Sequence, residues 1–432
     1  MMTQDKVRYS VPLLLFMFLQ LVIASGNVRH FNTDTAQLSN MFLIVGVSLV
    51  YNRFRLSIRV IPILAAFLAI AIPTIVLHGM DVRLYFGYAI RIVSAFFLVQ
   101  IYKDTFWEYF LKVTQVLVAI SLPMYVIQLV MPRILRVLQP ITDALMINIT
   151  GSHQYAVVWR YNQWYAETST RNSGFMWEPS AFAAVMVWVL LAKLIKDNFV
   201  FDKWTYVIII AFVTTFSTGG YIGLSLLLLA SMLHTKAGKM KYLGMAVVIL
   251  GLLVWDSYSG IVSKNYESSV RKIEMEETNI YNATSGLAEA GNISRVAAYA
   301  RGFQVISESP FGYGLPTNTD EYGVLGYSPN AFMNHFIRWG ILGISIILIS
   351  MWMTVRYLLY QSKVSVSPVV FLLLFGALMM SFHGTTLDKQ IVSLAVMLFY
   401  WFRNPKIGKT REMKEITTGN GRIAEGKNLL RA

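Results

Sequence analysis

The residues best suited to chemistry collect in one polar stretch, Asn292 to Gly343. It carries Arg295, Arg301, Pro310, Gly312, Tyr313, Gly314, Asn330 and His335. Arginine presents a planar fork of donors that matches phosphate oxygens, so the chemistry suggested is the holding of an oxyanion. Ser294 is placed to cap a helix from Arg295 to about Ser307. On such a helix Arg295 and Arg301 lie six residues apart, so their faces differ by roughly 120° and one ligand need not meet both. Pro310, Gly312 and Gly314 then require a tight turn. The plainer reading of each arginine is a solvated loop charge.

A second cluster precedes it. Residues 171–183 read RNSGFMWEPSAFA, with Glu178 and Pro179 where an apolar run begins. Proline suits a first helical turn and an acid suits the positive helix end, so Glu178 reads either as a cap or as a carboxylate at a membrane-surface site that accepts a proton. Arg171 is placed to pair with Glu178 or with a phosphate. Just upstream, VVWRYNQWY holds Trp159, Arg160 and Trp164. Such aromatics either anchor at a membrane boundary or stack on sugar faces. Arg91 falls near the middle of an apolar run. A cation there costs roughly 2.5–3.5 kcal/mol on insertion scales, so it needs a partner or a wet cavity. It reads as an ion pair, a snorkelling side chain or an anion-binding group.

What is missing narrows the chemistry. The sequence holds no phosphate-binding GxxxxGK loop, no GxGxxG, no DxD acid pair and no HExxH. It has no cysteine, which excludes thiol chemistry and disulfides. A nucleotide-driven or zinc-dependent enzyme is not expected.

The elements that must position these residues are membrane helices. Of 432 residues, 56% are hydrophobic and 14% charged, a balance foreign to soluble domains. Apolar runs long enough for bilayer-crossing helices recur, and the alternation of a β-barrel does not. The expected fold is all-α: one polytopic domain over residues 1–403 with about twelve spans, then a basic tail over 404–432. Large outer loops are expected at 131–177 and 259–329. The second has five Lys/Arg against eight Asp/Glu, unlike the basic short loops. The net charge of +14 lies mostly in those short loops and the tail, as the positive-inside rule demands. It therefore points to the lipid bilayer and not to nucleic acid. Both termini are expected in the cytoplasm. No soluble domain and no 20–50-residue repeat is visible.

Taken together, the motifs resemble the bacterial O-antigen polymerase and O-antigen ligase superfamily. Three pieces carry the likeness: Arg171, Gly174, Glu178, Pro179, Ser180, Phe182 and Ala183; Ser294 and Arg295 followed by Pro310–Gly314, with Arg301 and Gly312 in the polymerase-loop spacing; and Asn330 with Gly340–Gly343. Two positions depart from the pattern. Pro329 stands where members often have histidine, with His335 nearby, and Ser217–Thr218 stands where the family has Ser-Arg. The resemblance implies a glycosyltransferase of the bacterial inner membrane that uses undecaprenyl-pyrophosphate-linked glycans without metal or cofactor. Polymerisation is favoured, with a flippase and a chain-length regulator as partners. Glu178, Arg301, Arg295 and His335 are then the catalytic candidates. Arg91, Arg160, Arg171, Trp159, Trp164, Tyr313 and Asn330 are the substrate-binding candidates. A ligase, a flippase or transporter, and a non-catalytic scaffold are the alternatives.

Overall fold

A computed structural model of the chain describes residues 9–25, 34–52, 57–78, 82–137, 153–156, 159–162, 171–235, 303, 307, 309–314, 331–382 and 390–403. The elements, in order, are α1 (Val11–Ala24), α2 (Asp34–Tyr51), α3 (Val60–His78), α4 (Val82–Tyr102), α5 (Phe106–Val130), α6 (Pro132–Val137), β1 (His153–Ala156), β2 (Trp159–Asn162), α7 (Pro179–Lys196), α8 (Lys203–Val213), α9 (Thr218–His234), α10 (Ala331–Gln361), α11 (Pro368–Ser381), α12 (Ile391–Met397) and α13 (Phe399–Phe402). Among the described residues, four apolar stretches are long enough to cross a membrane: Val60–Leu77, Tyr85–Val130, Pro179–Lys196 and Phe332–Gln361. The second holds both α4 and α5, separated by a 3-10 turn at Lys103–Thr105. The chain is an integral membrane protein. The run at 243–258 and the tail from 404 lie outside the described residues.

Side chains at helix ends fix which termini share an end of the bundle. The Tyr102 hydroxyl donates to the Leu13 carbonyl at 2.8 Å, and the Ser10 amide to the Tyr109 hydroxyl at 2.8 Å. The Tyr357 hydroxyl donates to Asp104 at 2.8 Å, and Lys196 lies 4.0 Å from Glu108. The start of α1, the end of α4, the start of α5 and the ends of α7 and α10 therefore meet at one end. The opposite termini gather at the other end, where the Trp177 amide donates to the Ser25 carbonyl at 3.1 Å and the Phe332 amide to the Phe382 carbonyl at 3.2 Å.

Helix α7 is the axis. Every residue from Ala181 to Ile195 is buried, as a helix apolar all round must be when other helices enclose it. Small residues bring α9 against it. A Cβ on Gly220 would lie 2.7 Å from the Ala183 Cβ, and one on Gly223 2.9 Å from Val187. Where α7 ends, Lys193 is buried and pairs with Asp197 at 2.6 Å and Asp202 at 2.9 Å. Asp202 also caps α8 by accepting from the Thr205 amide at 2.9 Å.

Two features depart from an all-helical expectation. Strands β1 and β2 pair antiparallel as a hairpin, His153 with Asn162 and Ala156 with Trp159. Trp159 is 3% exposed and packs on Tyr125, with Met124, Ile127 and Leu129 around it. In addition, two helices are interrupted. Leu398 separates α12 from α13. Helix α10 breaks at Gly340, whose backbone stands at φ 59°, ψ −161°.

A candidate site at the broken helix

The break in α10 leaves carbonyls without their helical partners, and a glycine turn supplies the donors. The Tyr313 amide donates to the Ile337 carbonyl at 2.8 Å and the Gly314 amide to the Arg338 carbonyl at 3.0 Å. In return the Ile341 amide, first of the second half-helix, donates to the Pro310 carbonyl at 2.9 Å. Both backbones must come very close. A Cβ on Gly312 would lie 2.6 Å from the Arg338 carbonyl oxygen, and one on Gly340 2.2 Å from that of Pro310. The described parts of two sequence motifs thus meet: Pro310–Gly314 is the clasp of the half-helix that runs from Ala331 to Gly340.

That half-helix faces α3 and α4. Trp339 packs at ring-centroid distances of 5.0 Å on Tyr88, 5.4 Å on Phe67 and 5.9 Å on Tyr85. A Cβ on Gly314 would meet the Tyr85 hydroxyl at 2.1 Å, and that hydroxyl is itself 2.8 Å from Thr74 Oγ1. His335 is completely buried, with its Nδ1 3.4 Å from the Tyr88 hydroxyl. Arg338, one turn further along, is 7% exposed. A histidine and an arginine three residues apart share a helix face, here at the bundle end that also receives the polar turn. Such a buried pairing of a proton-exchanging group with a permanent cation suits work on an anionic substrate.

The other motif reaches the same end of the bundle. Glu178 occupies the N-cap position of α7 in extended conformation, with Pro179 first in the helix, as the sequence implies. Its side chain makes no capping bond to the helix amides; the Ser180 hydroxyl donates to its Oε1. The carboxylate is therefore not consumed by the cap. Upstream, Gly174 stands at φ 55° with its Cα pressed on the Phe182 ring, where a Cβ would come within 2.5 Å. Arg171 acts electrostatically on Tyr221 of α9, whose hydroxyl donates to the Val213 carbonyl at 2.6 Å.

The remaining candidates are dispersed. Arg91 is half-buried in α4, and its Nε donates to Gln37 of α2 at 2.8 Å; an amide meets the demand for a partner. Trp159 is buried under the hairpin, which removes its face from any sugar. Arg160 lies in β2, paired through its backbone with Tyr155. Arg295, Arg301, Trp164 and Asn330 lie outside the described residues. Arg338, Asn334, Tyr85, Tyr88 and Asn172 were not singled out by sequence reasoning. The signal for Arg338 was present, since a cation three residues beyond His335 in an apolar run carries the same cost as Arg91.

A comparison with curated proteins found no match. Residues 205–348 match the family model described as O-Antigen ligase, 144 of the 432 residues. The matched stretch contains the break between α8 and α9, the Pro310–Gly314 turn and the broken half of α10; the Arg171–Ala183 motif lies before it. That match covers one third of the chain and supports its likeness to the O-antigen ligase and polymerase superfamily.

Proposed function

We propose that the chain polymerises undecaprenyl-pyrophosphate-linked oligosaccharide repeats at the outer face of the bacterial inner membrane. In this reading both termini are cytoplasmic, the membrane domain of about twelve spans runs over residues 1–403, and loops 131–177 and 259–329 face outward. A hydroxyl at the non-reducing end of one lipid-linked repeat attacks the anomeric carbon of a second lipid-linked chain. The carbon–oxygen bond to pyrophosphate breaks, and negative charge builds on the departing lipid pyrophosphate. Arg295, Arg301 and Arg171, with Arg338 added, stabilise that charge in a water-poor site. Glu178 takes the hydroxyl proton, with His335 as the second candidate. Arg91 is a further candidate for stabilising the pyrophosphate charge, and Tyr313 serves substrate binding. A flippase delivers the repeats and a separate chain-length regulator sets the product size.

The single observation that carries this reading is the clasp, in which the Tyr313 and Gly314 amides hold the Ile337 and Arg338 carbonyls. It ties the Pro310–Gly314 turn to a buried membrane half-helix bearing His335 and Arg338. The test is the glycolipid profile of a strain lacking the gene, resolved by size and by mass. Collapse of a ladder to single lipid-linked repeats, restored by the intact gene and not by Arg301→Ala, is the expected result. Full-length polymer stranded on the lipid carrier would refute polymerisation and establish ligation to another acceptor. Repeats trapped on the cytoplasmic face would refute both and establish flipping.

A further inference from the structure

Asn172 lies one residue from Arg171 and is completely buried. Its amide is used on every side. The Gly174 amide donates to Oδ1 at 2.9 Å. Nδ2 donates to Thr214 Oγ1 at 2.9 Å and to Ser121 Oγ at 3.4 Å. The Asn172 backbone amide donates to the Thr214 carbonyl at 2.9 Å. The direction of these bonds is forced. Thr214 spends its hydroxyl proton on the Ala211 carbonyl at 2.7 Å, and Ser121 spends its own on Val118 at 2.7 Å. Both hydroxyl oxygens are left as acceptors, so position 172 must offer a two-proton donor there and an acceptor toward Gly174. Asparagine meets that demand and an isosteric aspartate does not.

The contact lies deep. Ser121 is nine residues before the end of α5, which puts it about 13 Å along the helix from that end. Irregular backbone at such depth persists only where its polar groups are satisfied within the protein. The partner segment is equally irregular: α8 ends at Val213, α9 starts at Thr218, and between them Phe216 stands at φ 46°, a conformation costly for a bulky side chain. Segment 171–178 is thus fastened at three places. Asn172 holds the α8–α9 break, Gly174 presses on Phe182, and the Trp177 amide bonds the end of α1. Arg171 and Glu178 are the two ends of the fastened segment.

We infer that Asn172 is a positioning residue, whose amide, locked between Thr214, Ser121 and Gly174, sets where Arg171 presents its guanidinium to the lipid-linked substrate. The inference rests on the proposed role of Arg171 at that site. Misplacement of a binding group by about 1 Å costs on the order of 100-fold in rate.

The experiment uses the full-length protein in proteoliposomes with purified undecaprenyl-pyrophosphate-linked repeat as substrate. Asn172→Asp is expected to lower kcat by about 10- to 100-fold with KM changed less than about 2-fold. In an Arg171→Ala background the same substitution is expected to add less than about 3-fold, because its effect passes through Arg171. A packing defect would instead act in both backgrounds. Thr214→Val should reproduce the loss and Thr214→Ser should not, which keeps the inference testable if Asn172→Asp fails to fold. Wild-type turnover in Asn172→Asp or Thr214→Val, or multiplied losses in the double variant, would overturn the inference. Full activity of Arg171→Ala would instead overturn the functional reading beneath it.

Discussion

Gly340→Ala is the substitution most revealing of this architecture. At φ 59°, ψ −161° the backbone of residue 340 occupies a region essentially reserved for glycine. Holding alanine there costs about 1–3 kcal/mol, before the 2.2 Å approach of its Cβ to the Pro310 carbonyl oxygen is counted. The variant escapes by straightening α10, and that breaks the three clasp bonds from Tyr313, Gly314 and Ile341. At about 0.5–1.5 kcal/mol net each, the clasp contributes roughly 1.5–4.5 kcal/mol. Strain and lost bonds bracket the same outcome, a clasp weakened by about 2–4 kcal/mol and so opened about 30- to 1,000-fold more often. Hydrogen exchange of the Tyr313 and Gly314 amides in detergent reads that quantity directly, whereas the Ile341 amide passes to the Ile337 carbonyl of the straightened helix. Gly87→Ala is the control, because a Cβ there meets nothing within 4 Å in α4. It should be neutral or stabilising by about 0.5–1 kcal/mol. If the Tyr313 and Gly314 amides exchange as slowly in Gly340→Ala as in the wild type, the clasp and the reading built on it are wrong.

Three further outcomes follow from the geometry. Lys193→Met leaves two carboxylates facing a buried apolar stem; because both acids are partly exposed, the expected loss is about 1–2 kcal/mol in a denaturation midpoint. Burial pushes the Asp202 carboxyl upward, but its bonds to Lys193 and Thr205 outweigh that and hold it below its ordinary value. Its contribution is therefore present above the unfolded carboxylate value of about 3.9 and is lost as pH falls through the lower folded one; Lys193→Met should weaken that acid dependence. Glu178→Gln should leave the unfolding midpoint within about 0.5 kcal/mol, since no cap bond is lost, yet reduce polymer in a complementation ladder. Trp159→Ala should release the hairpin from Tyr125 and raise its protease sensitivity, at a cost of about 3–5 kcal/mol, whereas Trp159→Phe should keep it docked.

Helix positions were legible because lipid and protein interior both demand apolar side chains. For the same reason, hydropathy could not distinguish α7, enclosed on all sides, from α3, whose Ile61, Ile72 and Val76 remain exposed. The Pro310–Gly314 turn could be read from its residues, but its partner could not. Gly340 sits in a continuous helical pattern two residues after Arg338, and the turn that meets its break lies some thirty residues earlier in the chain. Capping by Glu178 was a fair expectation from its place before Pro179, yet the side chain turns to Ser180. The hairpin escaped notice because Val157 and Val158, between its strands, are not turn formers. Asn172 carries no sequence signal at all, since its importance lies in two hydroxyls from distant helices.

The clasp also bears on how this protein can change over time. Gly314 is bonded to Arg338, and the Phe332 amide to Phe382, so the chain is secured on both sides of positions 315–330. The entropy of closing a loop grows only slowly with its length, about 0.6 kcal/mol per doubling. Lengthening the chain between these two anchors therefore costs the membrane domain little. The sequence between the two anchors can therefore vary while the half-helix that carries His335 and Arg338 keeps its shape.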